Sequence, residues 1–279
     1  MSAISPTLAL RDGREIPQVG LGVWKASQEQ ATMAVREALN AGYRHIDTAA
    51  IYKNEEGVGA GLRESGVPRE DVFLTTKVWN RDQGFESTKD AARASLDRLG
   101  VDYVDLLLIH WPVPMVDRYV DTWKAMIELR DAGLARSIGV SNFTPATLDR
   151  LVDETGEAPV INQIEVHPYL QQETMRAVDA GHGALTEAWS PLGQSHVLGD
   201  PVIEAIAAKH GRTPAQVVIR WHVQLGNVVI PKSVTPARIV SNIQVFDFAL
   251  DSDDLAAIGA LDRGERFGPD PDTFGPPRP

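Results

Sequence analysis

Short β-prone runs alternate with helix-compatible segments along most of the chain, and that alternation leaves few folds open. The runs fall at 20–23, 43–47, 73–78, 104–109, 135–140, 161–165, 184–189 and 228–230. Helices are expected at 29–40, 54–65, 86–99, 119–132, 145–155, 172–180, 200–225 with a break at Gly211, and 236–243. Eight strand-helix units predict an α/β fold, a closed eight-stranded parallel β/α (TIM) barrel. The length prior for 279 residues is about two domains, but barrels of about 250 residues are routinely one, so a single domain over 1–279 is expected. Before the barrel, 8–10 and 15–19 flank Arg11-Asp12-Gly13, a small hairpin within the segment 1–19, with Gly13 in its turn. After it, Ser252 is the expected N-cap of a terminal helix over 252–261, and the Pro- and Gly-rich residues 262–279 form an irregular tail.

Chemistry concentrates where these strands end. In GYRHIDTAAIYKNEEGVG at 42–59, Asp47 closes a β-prone run and Asn54 opens a helix, so Asp47 and Tyr52 share one strand-to-helix turn. VFLTTK ends on Lys77 and DLLLIH on His110. A parallel barrel gathers such ends on one face, where its chemistry sits. Singly, each residue has a plainer reading. Asp47 is a turn or capping residue, Tyr52 half-buried packing, Lys77 a surface charge and His110 a satisfied core histidine. His45 shares the strand parity of Asp47 and is expected to be a structural histidine one layer deeper. His167 lacks a second histidine at ligand spacing, so no metal site is expected.

Two glycine patterns are decoys. Gly20 and Gly22 begin a GxGxx run that continues into Lys25, and Gly57, Gly59 and Gly61 are out of register, so neither is a dinucleotide fingerprint. The stronger anion signal is VVIPKSVTPARIVSN. Thr235 can cap a helix whose first residue is Pro236, with Lys232 and Ser233 just before it. That places a phosphate site near the last barrel strand. Arg238, in the first turn, opposes the helix dipole unless an anion is bound.

The ordered motifs GLGVW, GYRHIDTAAIYKNE, TTKVWN, LLIHWP, IGVSNF, NQIEVHP, EAWSPLG, TPAQVVIRW, PKSV and IQVFDFAL span nearly the whole chain. In them the sequence resembles the aldo-keto reductase family, above all the small bacterial members of the 2,5-diketo-D-gluconate reductase type. The resemblance implies reduction of aldehyde or ketone carbonyls by NADPH, with the hairpin plugging the closed end of the barrel. It implies Tyr52 as proton donor, Lys77 as the cation that stabilises its phenolate, Asp47 as the partner keeping Lys77 charged, and His110 orienting the substrate oxygen. A free phenol has a pKa of about 10, so that stabilisation matters.

For the cofactor, the resemblance implies that Lys232, Ser233, Val234 and Arg238 meet the 2'-phosphate end of NADPH and Asn242 the adenine. Ser141, Asn142 and Gln163 would hold the carboxamide, with Trp189 stacked on the nicotinamide. Ser190, Leu192, Gly193 and Gln194 would line the pyrophosphate, and Gly22 and Val23 would join them from the first strand. Trp24, Trp79 and Trp111, each just past a strand end, suit an apolar substrate pocket with His110.

Composition narrows the partners. A formal charge of −11 disfavours nucleic acid and anionic membranes, which need a basic footprint. No run reaches the roughly 18 apolar residues of a membrane span, and no basic segment precedes an apolar one, so neither a span nor a signal peptide is expected. With no cysteine there is no disulfide or thiol chemistry, which fits a cytoplasmic location. By family habit the chain is a monomer. Two rivals stand beside the reductase: a non-catalytic redox sensor binding NADPH, like the barrel subunits of ion channels, and a Schiff-base aldolase using Lys77.

Overall fold

The computed structural model describes residues 5–275. An antiparallel pair, β1 (Thr7–Ala9) and β2 (Glu15–Pro17), precedes the barrel. The barrel then runs β3 (Leu21–Gly22), α1 (Gln28–Asn40), β4 (His45–Asp47), α2 (Glu55–Ser65), β5 (Phe73–Val78), α3 (Phe85–Leu99), β6 (Val104–Ile109) and α4 (Tyr119–Asp131). It continues through β7 (Ala135–Ser141), α5 (Pro145–Thr155), β8 (Ile161–Glu165), α6 (Glu173–Gly181), β9 (Leu185–Trp189), α7 (Pro201–His210), α8 (Pro214–Gln224), β10 (Val228–Val229) and α9 (Pro236–Asn242). A last helix, α10 (Ser252–Gly259), leads into the tail.

Strands β3 to β10 pair in sequence order, all parallel. Parallel bridges from Val19 to Val229 and from Gly22 to Lys232 join the last strand to the first, so the barrel closes. The break expected at Gly211 is real. Gly211 caps α7 in a left-handed conformation, and Thr213 starts α8 with a capping box to Gln216.

The hairpin seals the end of the barrel where the strands begin. Leu10 and Ile16 pack on Phe73, Leu106, Val160, Ile161 and Val228, while Arg11 and Asp12 bond to Ala158 and Ser137. Gly13 turns at φ +85° as expected. Residues 1–4 of the expected N-terminal segment and 276–279 of the tail lie outside the described residues.

The decoy glycines prove to be packing devices. A Cβ on Gly57, Gly59 or Gly61 would lie 2.3, 2.1 or 2.6 Å from the carbonyl oxygens of Gln28, Leu99 and Thr32. Helix α2 thus touches backbone on both sides, which only glycine permits. Gly20 makes room for the His45 ring in the same way, 2.6 Å from where its Cβ would stand.

Two capping expectations need correction. Asp251, not Ser252, caps α10, because its carboxylate accepts from the amides of both Asp253 and Asp254. The Thr235 side chain makes no cap bond to α9; the Ser233 hydroxyl instead accepts the Thr235 amide at 3.1 Å. Asn54 opens α2 as expected, and its side chain donates to the carbonyls of Val23 and Ala26, tying the turn that carries Tyr52 to the loop after β3.

Candidate active site

At the opposite end of the barrel, the strand termini surround a cavity of ≈ 450 Å³. Asp47 is the last residue of β4, Lys77 the penultimate residue of β5, and His110 follows β6. Tyr52 closes a single turn of 3-10 helix, Ala50–Tyr52, which Lys53 ends at φ +56°. Residues far apart in the chain so meet at one wall.

Lys77 is fully buried, and its three protons are committed. They go to Asp47 Oδ1 and Oδ2 at 2.6 and 2.7 Å and to the Thr48 carbonyl at 2.9 Å. Burial works against its charge, yet Asp47 and Tyr52 outweigh burial and its pKa is raised. The amine is therefore an ammonium, a poor start for the Schiff-base chemistry of the aldolase reading. For Asp47 burial dominates and raises the pKa, while Lys77 and Gln163 pull it down.

Tyr52 stands with its ring centroid 5.4 Å from the Lys77 ammonium and 5.8 Å from the His110 ring, edge-on. Lys77 lowers its pKa as expected, but burial raises it more, so the phenol holds its proton. His110 is shifted well below the ordinary imidazole range by burial and then by Lys77. It is neutral, with its Nδ1 buried and unpartnered, which leaves Nε2 for the cavity.

The opposite wall comes from β7, β8 and β9. Asn142, in the left-handed region at φ +62°, donates to the His110 carbonyl and accepts the Trp189 indole N–H at 2.8 Å. Ser141 bonds to the Gln163 carbonyl. Gln163 Nε2 donates to Asp47 Oδ2 at 2.8 Å and to Glu187 Oε2 at 2.9 Å.

Gly22, Trp24, Trp79, Trp111, Ser190, Gln194 and Lys232 also line the cavity. Val23, Leu192, Gly193, Ser233, Val234, Arg238 and Asn242 do not. Val23 and Gly193 are buried behind it, Gly193 beneath Phe267. Ser233 and Val234 follow β10, and Arg238 and Asn242 belong to α9, so they lead away from Lys232.

Three contributors escaped the sequence reading. The tail crosses the cavity mouth, placing Phe274 at 4.4 Å from the Trp111 ring and Gly268 where a Cβ would lie 2.2 Å from the Trp189 ring. Glu165 anchors that crossing, accepting from the amides of Phe267 at 2.8 Å and Gly268 at 3.0 Å and from His167 at 3.1 Å. Glu187 sits fully buried below Gln163. Strand parity with Trp189 was the available signal for Glu187; the tail contacts of Glu165 leave no local trace. His45 is the deeper buried histidine expected, held neutral by burial with a pKa of about 3.

Known proteins match this arrangement along nearly the whole chain. An aldo-keto reductase of Mycolicibacterium smegmatis is 60% identical over 271 residues, covering 97% of this chain and 98% of the relative. The methylglyoxal reductase DkgA of Escherichia coli is 55% identical over 274 residues, covering 97% and 99%. Among solved structures, a mutant of Gox0644 in complex with NADPH superposes with a TM-score of 0.94 at 49% identity, covering 98% of this chain and 100% of that one. The family model for the Aldo/keto reductase family matches residues 18–263, and the chain belongs to that family.

Proposed function

We propose that this chain is an NADPH-dependent reductase of aldehydes and ketones, with Tyr52 as the acid. The observation that carries the reading is the meeting of a buried Asp47–Lys77 pair, a protonated phenol and a neutral imidazole at one wall of an apolar cavity. NADPH, when bound, supplies the hydride. The residues present suit it. Gln163 lines the cavity with its amide protons spent on the carboxyl groups of Asp47 and Glu187, which leaves Oε1 to accept from a carboxamide. Lys232, next to Ser233, and Arg238, in the first turn of α9, are exposed cations.

The proton steps belong to the protein. His110 Nε2 donates to the carbonyl oxygen and holds it near the phenol. Tyr52 then protonates that oxygen, and Lys77 offsets the charge left on the phenolate. Trp79, Trp111 and Phe274 keep water from the reacting carbonyl.

The site is read as one barrel domain acting as a cytoplasmic monomer on small molecules, without nucleic-acid or membrane partners. The acidic composition and lack of cysteine support this, and among the described residues no helix is long and apolar enough to cross a membrane. The methylglyoxal reductases among the relatives make short dicarbonyls the first substrates to try. A panel of carbonyls scored by NADPH oxidation tests the function and separates an enzyme from a redox sensor.

Two results are expected from variants. Arg238→Ala should weaken NADPH about tenfold or more and NADH far less, since a charged hydrogen bond contributes roughly 1.5–3 kcal/mol. Equal weakening of both, by fluorescence titration, removes the 2'-phosphate contact. Trp24, 40% exposed at the cavity rim, is a substrate wall. Trp24→Ala should reorder relative kcat/KM across the panel more than it changes NADPH affinity, each methylene contact contributing about 1–3 kcal/mol. A common fall for every substrate counts against that placement.

A further inference from the structure

Below the four residues of the proposed site lies a carboxyl group that the mechanism does not use. Glu187 is fully buried on β9, directly across the ladder from Gln163 on β8. Its Oε2 accepts one Gln163 amide proton at 2.9 Å, and Asp47 takes the other at 2.8 Å. Its Oε1 has no hydrogen-bond partner and faces His45 Nε2 at 3.6 Å.

We propose that Glu187 is a positioning residue which, as an uncharged acid, fixes the Gln163 amide so that Oε1 points to the cofactor's carboxamide. The proposal rests on the NADPH reading above. With the Glu187 proton on Oε1, towards His45, Oε2 is an acceptor like Asp47 Oδ2. Reversing the Gln163 amide would turn its NH2 away from both, so the two acceptors dictate one orientation. Asp47 alone would leave the second amide proton buried without a partner, a penalty that keeps the pair of anchors together.

The neutral state follows from the groups around Glu187. His45 and Asp47 face it from β4, Lys77 from β5, Gln163 from β8, and Tyr52 from the turn above. One buried cation and one buried anion already balance. An ionised Glu187 would add an anion with no partner, which burial opposes strongly. Burial first, then the Asp47 charge, push its pKa up to about 8. Neutral His45 can accept from a protonated Oε1 after a small approach, since 3.6 Å is too long for a formed bond.

The sign of the pH effect follows. Below about 8 Glu187 is neutral; above it, its negative charge raises the Tyr52 pKa and makes the phenol a weaker acid. Turnover should therefore decline as pH rises through about 8.

The test compares Glu187→Leu with Glu187→Gln in the full chain, with thermal unfolding as the folding control. Glu187→Leu should weaken NADPH, titrated by tryptophan fluorescence, about two- to tenfold and also lower kcat. Glu187→Gln, matching the neutral acid in shape, should recover most of both losses and lack the decline near pH 8. Difference infrared spectra of wild type against Glu187→Gln, without cofactor, should show a protonated carboxyl band at about pH 7 that fades as pH rises through about 8. Three results overturn the proposal: no such band, a Glu187→Gln variant as impaired as Glu187→Leu, or a folded Glu187→Leu with wild-type cofactor affinity and kcat. If Glu187→Leu does not fold, the band and the Glu187→Gln pH profile decide. A wild type that shows the band but binds no NADPH overturns the functional reading and, with it, the role assigned to Gln163.

Discussion

Tyr52→Phe is expected to cut kcat for carbonyl reduction by about 10²- to 10⁴-fold, the usual contribution of a positioned general acid. NADPH affinity should stay nearly unchanged. The substitution removes one hydroxyl and keeps the ring that packs edge-on to His110. It also spares the ion pair, because the protons of Lys77 go to Asp47 and Thr48. The measurement is single-turnover NADPH oxidation beside cofactor titration. A variant keeping more than about a tenth of wild-type turnover, with chemistry shown to limit the rate, would falsify the assignment of Tyr52 as the acid.

The second large effect is on stability. Lys77→Met leaves Asp47 buried, held only by Gln163, and breaking a buried pair from one side costs about 3–5 kcal/mol. For a chain of this size each kcal/mol moves Tm by about 2–4 °C, so a fall of about 6–20 °C is expected. Adding Asp47→Asn removes the stranded charge and should recover part of that loss. The double variant will still lack the cation near the phenol, so activity should not return with stability. That split distinguishes a catalytic cation from a purely structural one. A Lys77→Met protein melting within about 2 °C of wild type would mean that Asp47 simply takes up a proton at little cost. A double variant less stable than Lys77→Met would point instead to a packing defect.

The tail gives the site a wall that belongs to no strand. Phe274 packs against Trp111 and Trp79, while Glu165 holds the amides of Phe267 and Gly268. On the function proposed above, these residues beyond the last helix would form part of the substrate wall.

How much of this was legible in the chain depends on range. Runs such as Val104–Ile109 and Phe73–Val78 were located to the residue, because both are rich in β-prone residues and recur in step with the helical segments between them. Asp47, Lys77 and His110 could be placed on one face because strand ends in a parallel barrel share an end, and that follows from alternation alone. Local pattern was weaker where two neighbours compete for one role. Asp251 caps α10 in place of Ser252 because a carboxylate reaches two amides at once. Asn54 is drawn across to Val23 and Ala26 because their buried carbonyls need a donor. The glycines of α2 looked like a failed fingerprint until the backbones of Gln28, Leu99 and Thr32 came within contact of them.

Tertiary structure alone decided the electrostatics and the roof of the site. Gln163 reaches Asp47 across 116 residues of chain and Glu187 across 24, and Glu165 grips a tail about 100 residues away. Neither pairing has a periodicity to announce it. The Tyr52 shift likewise depends on the contest between burial and Lys77, and burial wins. Periodicity records which face of an element is covered; it carries nothing about what the covering group is. Only the closed barrel, by removing water from Asp47, Lys77 and Glu187 together, determines which of them stays charged.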